Sequence, residues 1–304
     1  MLQHIEEALR PLHPPGTTFE PKLAKNDGVI VASTGSLETN HREYLYRVVP
    51  LPATQLEGEA ESLKRINEAS PDAAPRFVAT GTLQDRQQEW MLCEWHDLDR
   101  LRSDEHQRRL AELVAQLHLA PAPASQQYGF PIPTCCGATV QDNTEERDWA
   151  TFFGERRIGD LIRRIGDAEL EKLGGEVQQR VIPHLLGKLD IKPSLLHGDL
   201  WSGNARFSRS RSQPIIFDPA SYYGHSEADL GIMHMFGGFS PAFFQRYHQL
   251  VPRSEPREEY EQRVQLYEAY HHLNHALLFG GSYKSGAVSL LRGLLSWADG
   301  KGLP

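Results

Sequence analysis

One short polar segment carries the residue types that phosphoryl transfer needs. Residues 197–204 read HGDLWSGN, and Asp218 follows a second apolar run. The spacing Asp-x4-Asn between Asp199 and Asn204 is that of a kinase catalytic loop, in which the Asp is the base and the Asn binds metal. Carboxylate and amide oxygens are the ligands that Mg²⁺ prefers. We therefore predict Asp199 as a catalytic base, with Asn204 and Asp218 as Mg²⁺ ligands. The alternative is that the two carboxylates cap turns and Asn204 closes a hairpin.

Hydrophobic periodicity indicates the elements that position this segment. Apolar runs at 195–196 and 215–217 lead directly into the two Asp-containing loops. The pattern predicts strands at 29–31, 44–49 and 90–93. It predicts helices at 2–12, 56–66, 110–117, 148–165, 169–189 and 258–279. We predict an α+β fold with a sheet-plus-helix lobe at 1–94 and a mostly helical lobe at 95–304.

Composition narrows the class of protein. A formal net charge of −8 argues against a nucleic-acid binder, because a phosphate backbone rewards clustered Lys and Arg. No run of 18 apolar residues is present, so no membrane span is expected. The start lacks the pattern of a secretory signal, and the three cysteines are poorly placed for disulfides. We expect a cytoplasmic protein that is a monomer or a weak dimer.

The 14 histidines do not form a familiar metal motif. His271, His272 and His275 share one helical segment, but no Cys-x-x-Cys or His-Glu-x-x-His spacing occurs. A structural role is therefore favoured over zinc binding for these histidines. Cys135 and Cys136 are expected to pack internally.

The chain resembles the fructosamine (ketosamine) kinase family over roughly residues 55 to 290, most strongly after residue 190. The matching motifs are HGDLWSGN at 197–204, PIIFDPASYYGH at 214–225, FGGF at 236–239, LNH at 273–275, FGGSY at 279–283, TCCG at 134–137 and DWATFF at 148–153. The Trp of the first motif distinguishes this family from the aminoglycoside and choline kinases, which share the wider fold.

The resemblance implies a two-lobed fold related to aminoglycoside phosphotransferases and protein kinases, with ATP between the lobes. It implies phosphorylation of a ketosamine, carried on a lysine side chain, at the third-carbon hydroxyl of the sugar. The phosphorylated adduct then breaks down spontaneously and frees the amine. By the same resemblance Asp199 is the base, Asn204 and Asp218 hold Mg²⁺, and Glu94 lies in the hinge that meets the adenine.

Trp201 and His275 are the candidates for the sugar pocket. Trp201 offers a ring face or an indole N–H to the substrate, and its alternative is a packed core tryptophan. His275 follows His271 at helical spacing, and its alternative is a buried histidine with a structural hydrogen bond. Asp229 stands where related kinases steady the catalytic loop through backbone N–H groups, and a place at the start of a helix is its alternative.

The nucleotide side departs from the family pattern. Arg47 occupies the strand position where the family has lysine, and Glu59 resembles the helical glutamate that pairs with it. Arg keeps the charge but is longer and planar, so the exchange is not conservative at a tight phosphate site. The predicted phosphate loop at 31–36 contains one glycine, Gly35, in place of a Gly-x-Gly-x-x-Gly pattern.

Three functions remain open at this point. The first is an active ketosamine-3-kinase that uses ATP and Mg²⁺. The second is a pseudokinase that binds nucleotide or glycated protein without efficient transfer, which the unusual Arg47 motivates. The third is a kinase for another small hydroxylated compound, such as an aminoglycoside.

Overall fold

The computed structural model describes residues 2–23, 27–33, 41–50, 54–83 and 87–304 of the chain. These residues form small antiparallel sheets and a larger set of helices. Within these ranges, no helix combines the length and the apolar character needed to cross a bilayer.

The largest described sheet is antiparallel, with its strands in the order β1-β2-β3-β5-β4. Its strands are β1 (Thr18–Leu23), β2 (Asp27–Ser33), β3 (His41–Pro50), β4 (Phe77–Leu83) and β5 (Gln88–Glu94). The register pairs Tyr44 of β3 with Glu94 of β5, and Arg47 with Met91. Helix α2 (Thr54–Ala69) connects β3 to β4.

The two faces of this sheet belong to different hydrophobic clusters, because neighbouring side chains of a strand point to opposite faces. On one face, Tyr46 and Leu92 pack with Ile5 and Leu9 of helix α1 (Leu2–Leu9). On the other face, Met91 joins the main core of the molecule. Helix α2 contributes buried side chains at helical spacing to that same core, namely Leu56, Ala60, Leu63 and Ile66.

The rest of the described chain is mostly helical. The α-helices are α3 (Asp104–His118), α4 (Trp149–Phe153), α5 (Asp160–Ile165), α6 (Ala168–Glu176), α7 (Ile182–Leu186), α8 (Ala228–Phe236), α9 (Pro241–Leu250), α10 (Tyr260–Phe279) and α11 (Ser282–Gly300). Wider π-helical turns at Gly154–Gly159 and Val177–Val181 join α4 to α5 and α6 to α7, so each pair runs on as one helical stretch.

Short strands between these helices carry the polar segment. Their bounds are β6 (Leu98–Asp99), β7 (Cys135–Cys136), β8 (Thr139–Val140), β9 (Ser194–Leu196), β10 (Ala205–Ser208), β11 (Gln213–Ile216) and β12 (Tyr222–Gly224). Strand β9 pairs with β12, and β10 pairs with β11 and β6. Residues 197–204 therefore connect two small sheets, and Asp218 follows the hairpin of β10 and β11.

Most of the predicted elements are confirmed. The three predicted strands are parts of β2, β3 and β5, and the predicted helices correspond to α1, α2, α3, α4–α5, α6–α7 and α10. The helix predicted to reach residue 189 ends at Leu186, before Gly187. Periodicity did not indicate β1, which contains Pro21 and lies at the edge of the sheet, where a missing N–H is tolerated. The division into lobes at residue 94 stays a prediction.

Candidate active site

The loop after β9 is held by a buried carboxylate. The backbone N–H groups of His197 and Gly198 donate to Asp229 at 2.8 Å each. His118 lies 3.0 Å from the same carboxylate, and its other ring nitrogen lies 2.7 Å from the hydroxyl of Tyr247. Burial raises the pKa of Asp229, but His118 and the loop N–H groups outweigh it, so the pKa is lowered. A charged Asp229 thus fixes the loop, although it lies in the first turn of α8.

Two further contacts set the path of this loop. The ring of His197 bonds the carbonyl of Phe217 at 3.0 Å, and the N–H of Ala220 donates to the carbonyl of His197 at 2.8 Å. Gly198 adopts a φ of +83°, and a Cβ there would collide with the Ala220 carbonyl. Only glycine fits this position without a collision. The hydrogen bond between Ala220 and His197 joins the two Asp-containing segments through their backbones.

Asp199 follows Gly198 in the same loop and is half-buried. Burial raises its pKa from 3.8 to about 7, and the nearby Asp218 carboxylate adds to the effect. The thiol of Cys136 beside it acts in the opposite direction. A carboxyl group with a pKa near neutrality can hold and release a proton at physiological pH, which is what a general base requires.

Asn204 and Asp218 lie on neighbouring segments. The side-chain N–H of Asn204 donates to the backbone carbonyl of Asp199 at 2.9 Å. The backbone N–H of Phe217 donates to the backbone carbonyl of Asn204 at 3.1 Å. The bond from the side-chain N–H leaves the side-chain amide oxygen of Asn204 as a candidate ligand, together with the carboxylate of Asp218. Such oxygens suit a hard cation such as Mg²⁺. Asp218 adopts a φ of +55°, a strained conformation for a residue other than glycine.

Arg47 joins the sheet to this loop. Its guanidinium lies 2.7 Å from Glu59 of α2 and 3.0 Å from Asp218. The expected pairing of Arg47 with Glu59 is therefore present. The planar fork of arginine reaches two carboxylates at once, which the point charge of a lysine does less readily.

Two predicted nucleotide-binding residues stay predictions. Glu94 ends β5, and its carboxylate bonds Arg211 and lies 3.6 Å from a ring nitrogen of His96. Burial raises the pKa of Glu94, but His96 and Arg211 outweigh it and lower the pKa to about 2. The Glu94 side chain is thus held by contacts with Arg211 and His96. Gly35 lies outside the described residues.

The ring of Phe236 contacts both Trp201 and His275. The ring centroids of Trp201 and Phe236 are 5.6 Å apart, and those of Phe236 and His275 are 5.2 Å apart. Trp201 is 38% exposed, so it is not the fully packed core residue of the alternative reading. The Nδ1 of His275 bonds the carbonyl of His271 at 2.9 Å, which leaves Nε2 for other partners.

Sequence reasoning missed several residues that surround the site. His118 and Tyr247 support Asp229 from α3 and α9, and Arg211 bonds Glu94 from beyond the β10 strand. Cys136 lies beside Asp199 although the two residues are far apart in the chain. His118, Tyr247 and Arg211 belong to no motif that would identify them, and the TCCG motif that contains Cys136 does not indicate its place beside Asp199. Cys136 is buried as expected, whereas Cys135, which was also expected to pack internally, is only half-buried.

Comparisons with known proteins identify the family of the chain. The family model described as fructosamine kinase matches residues 4–297. A protein-ribulosamine 3-kinase of Arabidopsis thaliana is 36% identical over 239 residues, which cover 77% of this chain and 70% of that protein. A ketosamine-3-kinase of Mus musculus is 43% identical over 172 residues, which cover 55% of this chain and about half, 54%, of the mouse protein.

Solved structures share the whole architecture. A candidate fructosamine-3-kinase from Haemophilus somnus superposes with a TM-score of 0.79 at 24% identity, covering 97% of this chain and 98% of that one. An aminoglycoside phosphotransferase in ternary complex with AMP-PNP and hygromycin B gives a TM-score of 0.61 at 12% identity, covering 97% of each chain. The fold is therefore the predicted α+β, protein-kinase-like fold. The match over residues 4–297 shows that the chain belongs to the fructosamine kinase family.

Proposed function

We propose that this protein is a ketosamine-3-kinase that transfers the γ-phosphate of ATP to the 3-hydroxyl of a ketosamine, including fructosamine and ribulosamine adducts on lysine. The observation that carries the proposal is Asp199, whose pKa is raised to about 7 and which lies next to Asn204 and Asp218 in a loop fixed by Asp229. The phosphorylated adduct would then break down and free the amine, so the protein would act in deglycation.

The predicted site residues have distinct roles in the proposed reaction. Asp199 orients the acceptor hydroxyl and takes its proton. Asn204 and Asp218 would hold Mg²⁺, which neutralises charge on the phosphates when it is bound. Arg47, kept in place by Glu59, contacts the phosphate tail, and Glu94 lies at the adenine. For Gly35 the prediction from the sequence stands. Trp201 binds the sugar, because a partly exposed indole ring suits a sugar ring. His275 binds it as well, since it lies on the other side of Phe236 from Trp201.

The alternatives are less well supported. Arg47 makes the contact with Glu59 that the family lysine is expected to make, so the departure from lysine does not remove the ion pair. The names of the similar proteins from mouse and Arabidopsis favour ketosamines as acceptors over aminoglycosides, and kinases over pseudokinases. A cytoplasmic location and a monomer or weak dimer remain predictions from the sequence.

The test is ATP turnover with Mg²⁺ and a fructose- or ribulose-lysine adduct, with wild type beside Asp199→Asn. We expect turnover by the wild type and a loss of about 10²–10⁴-fold in the variant, because general-base catalysis contributes that much. Asp299→Asn, an exposed carboxylate of α11, is the matched control and should keep the activity.

Two other results would change the proposal. Turnover of an aminoglycoside without turnover of ketosamines would identify a different acceptor. Binding of ATP by folded protein without any turnover would identify a pseudokinase, and Arg47 would be the next residue to vary.

A further inference from the structure

A group of potential soft-metal ligands lies behind the proposed base. Cys136 of β7 and His271 of α10 meet Asp199, and one ligand atom from each of the three side chains lies within 4.8 Å of the other two. The proposed kinase reaction uses Asp199 alone of these three residues. The function of the other two side chains is therefore unassigned.

Two buried polar atoms at this position have no protein partner among the described residues. His271 is 3% exposed, and its Nδ1 makes no hydrogen bond. Asn274, one turn further along α10, donates to the Cys136 carbonyl at 3.2 Å, yet its own amide oxygen makes no hydrogen bond. A buried polar atom without a partner is costly, so the unpaired nitrogen of His271, a member of the group, points to a bound species that supplies the missing contact.

The chemistry of the three side chains selects among metal ions. Thiolate, imidazole and carboxylate are the ligands of Zn²⁺ and related transition-metal ions, whereas Mg²⁺ prefers oxygen atoms alone. Three protein ligands also leave a fourth tetrahedral position open for water. This group of side chains therefore differs in preference from Asn204 and Asp218.

We propose that Cys136, Asp199 and His271 form a binding site for Zn²⁺ or a similar transition-metal ion, and that the bound ion inhibits the enzyme by occupying the proposed catalytic base. The ion enters from the side of Asp199, since Cys136 is 1% exposed while Asp199 is half-buried. On binding, the thiol releases its proton to solvent and its sulfur bonds the ion, with no change of oxidation state. Metal binding is independent of the proposed function, whereas inhibition rests on it.

The binding test uses Co²⁺ as the probe, because a thiolate bound to Co²⁺ gives a charge-transfer absorption band in the near ultraviolet. Wild type is compared with Cys136→Ser and with Cys135→Ser. The second variant is a matched control, because neighbouring residues of a strand point to opposite faces and Cys135 is half-buried. We expect the band in the wild type and in Cys135→Ser, and its loss in Cys136→Ser.

Calorimetric titration with Zn²⁺ then measures affinity in the same three proteins, because Cys136→Ser gives no band that a competition experiment could follow. Cys136→Ser should weaken Zn²⁺ binding by at least about tenfold. If Cys136→Ser does not fold, His271→Gln keeps the thiol and should weaken binding in the same direction. An absent band in the wild type, or an equal band in Cys136→Ser, would overturn the site whether or not the protein is a ketosamine-3-kinase.

The activity test measures ketosamine-dependent ATP turnover at saturating Mg²⁺ and ATP, with free Zn²⁺ fixed by a metal buffer. The activity of each variant is expressed relative to its own activity without zinc. We expect inhibition of the wild type and of Cys135→Ser at zinc concentrations that leave Cys136→Ser active. Equal inhibition of all three proteins would overturn the inhibitory role and place the zinc effect on the Mg²⁺ ligands or on ATP.

Discussion

The two sides of the candidate active site are held in different ways. On the catalytic side, Asp229 bonds two backbone N–H groups and is itself 2% exposed. On the nucleotide side, Arg47 is held through the side chains of Glu59 and Asp218, and 23% of its side chain is exposed. The first arrangement fixes the backbone of a loop, whereas the second fixes the end of one flexible side chain.

This difference indicates which groups are preorganised for chemistry. A buried carboxylate that accepts backbone N–H groups cannot leave without exposing unsatisfied donors, which costs free energy. A partly exposed ion pair is worth little and can exchange partners at small cost. We infer that the position of Asp199 is set before substrates bind, while Arg47 can leave Asp218 when phosphates arrive.

The largest effect is expected from Asp229→Ala. The change leaves the N–H groups of His197 and Gly198 and the ring of His118 without their acceptor. The free energy of unfolding should fall by at least about 3 kcal/mol, and turnover should be lost with it. Urea unfolding and ATP turnover measure the two effects.

Glu105→Ala is the control for this substitution, because Glu105 is an exposed carboxylate on α3 that pairs with Arg108 at 3.5 Å. Its effect on unfolding should stay within about 0.5 kcal/mol. Equal stability of the two variants would mean that Asp229 does not hold the catalytic loop.

A smaller effect is expected from substitutions of Arg47. Arg47→Ala removes the cation that contacts Glu59 and Asp218, so the KM for ATP should rise while the free energy of unfolding falls by less than in Asp229→Ala. Arg47→Lys should restore much of the ATP affinity, since a cation remains next to Glu59. Steady-state kinetics with varied ATP measures both.

Arg65→Lys provides the matched control, because Arg65 pairs with Glu61 on the outer side of α2 at 2.8 Å. It should leave the KM for ATP unchanged. A large gain of turnover in Arg47→Lys, absent from the control, would show that the native arginine impairs the enzyme.

An effect of the opposite sign, a gain in stability, is expected when the charge of the base is removed. Burial raises the pKa of Asp199 from 3.8 to about 7, so its charged form is disfavoured in the folded state. Below pH 3.8 the group is protonated in both states and costs nothing, and stability is lost as the pH rises towards 7. Asp199→Asn should therefore melt at a higher temperature than the wild type above pH 7, and the gap should close in acid.

Thermal melting at several pH values measures this gap. Asp299→Asn is the control for the substitution of a carboxylate as such, because Asp299 is exposed on α11. A gap for Asp199→Asn that does not change with pH would mean that the gain comes from packing and not from the charge of the base.

The sequence predicted the elements with strong periodicity and missed those without it. Helix α2 shows buried residues at helical spacing, and β3 is a β-branched and aromatic run. Helix α11 was not predicted, because Gly286 and Gly293 interrupt its apolar pattern. Strands β7 and β8 have two residues each, which is too short for any periodicity.

The sequence by itself determined the local part of the site. Asp199 and Asn204 are separated by a fixed short spacing, and Asp218 follows the apolar run that forms β11, so local geometry and family resemblance were enough to predict them. The pairing of Arg47 with Glu59 was also predicted, because Glu59 resembles the helical glutamate that pairs with the strand cation in the family.

Only the tertiary structure decided which distant groups meet. Arg47 reaches Asp218 across 171 positions, and Asp229 is reached by His118 across 111 positions. Cys136 and His271 meet at Asp199 from a short strand and a long helix. These contacts are set by how helices pack on the sheets, which depends on the shape of the whole core and not on any local spacing of residues.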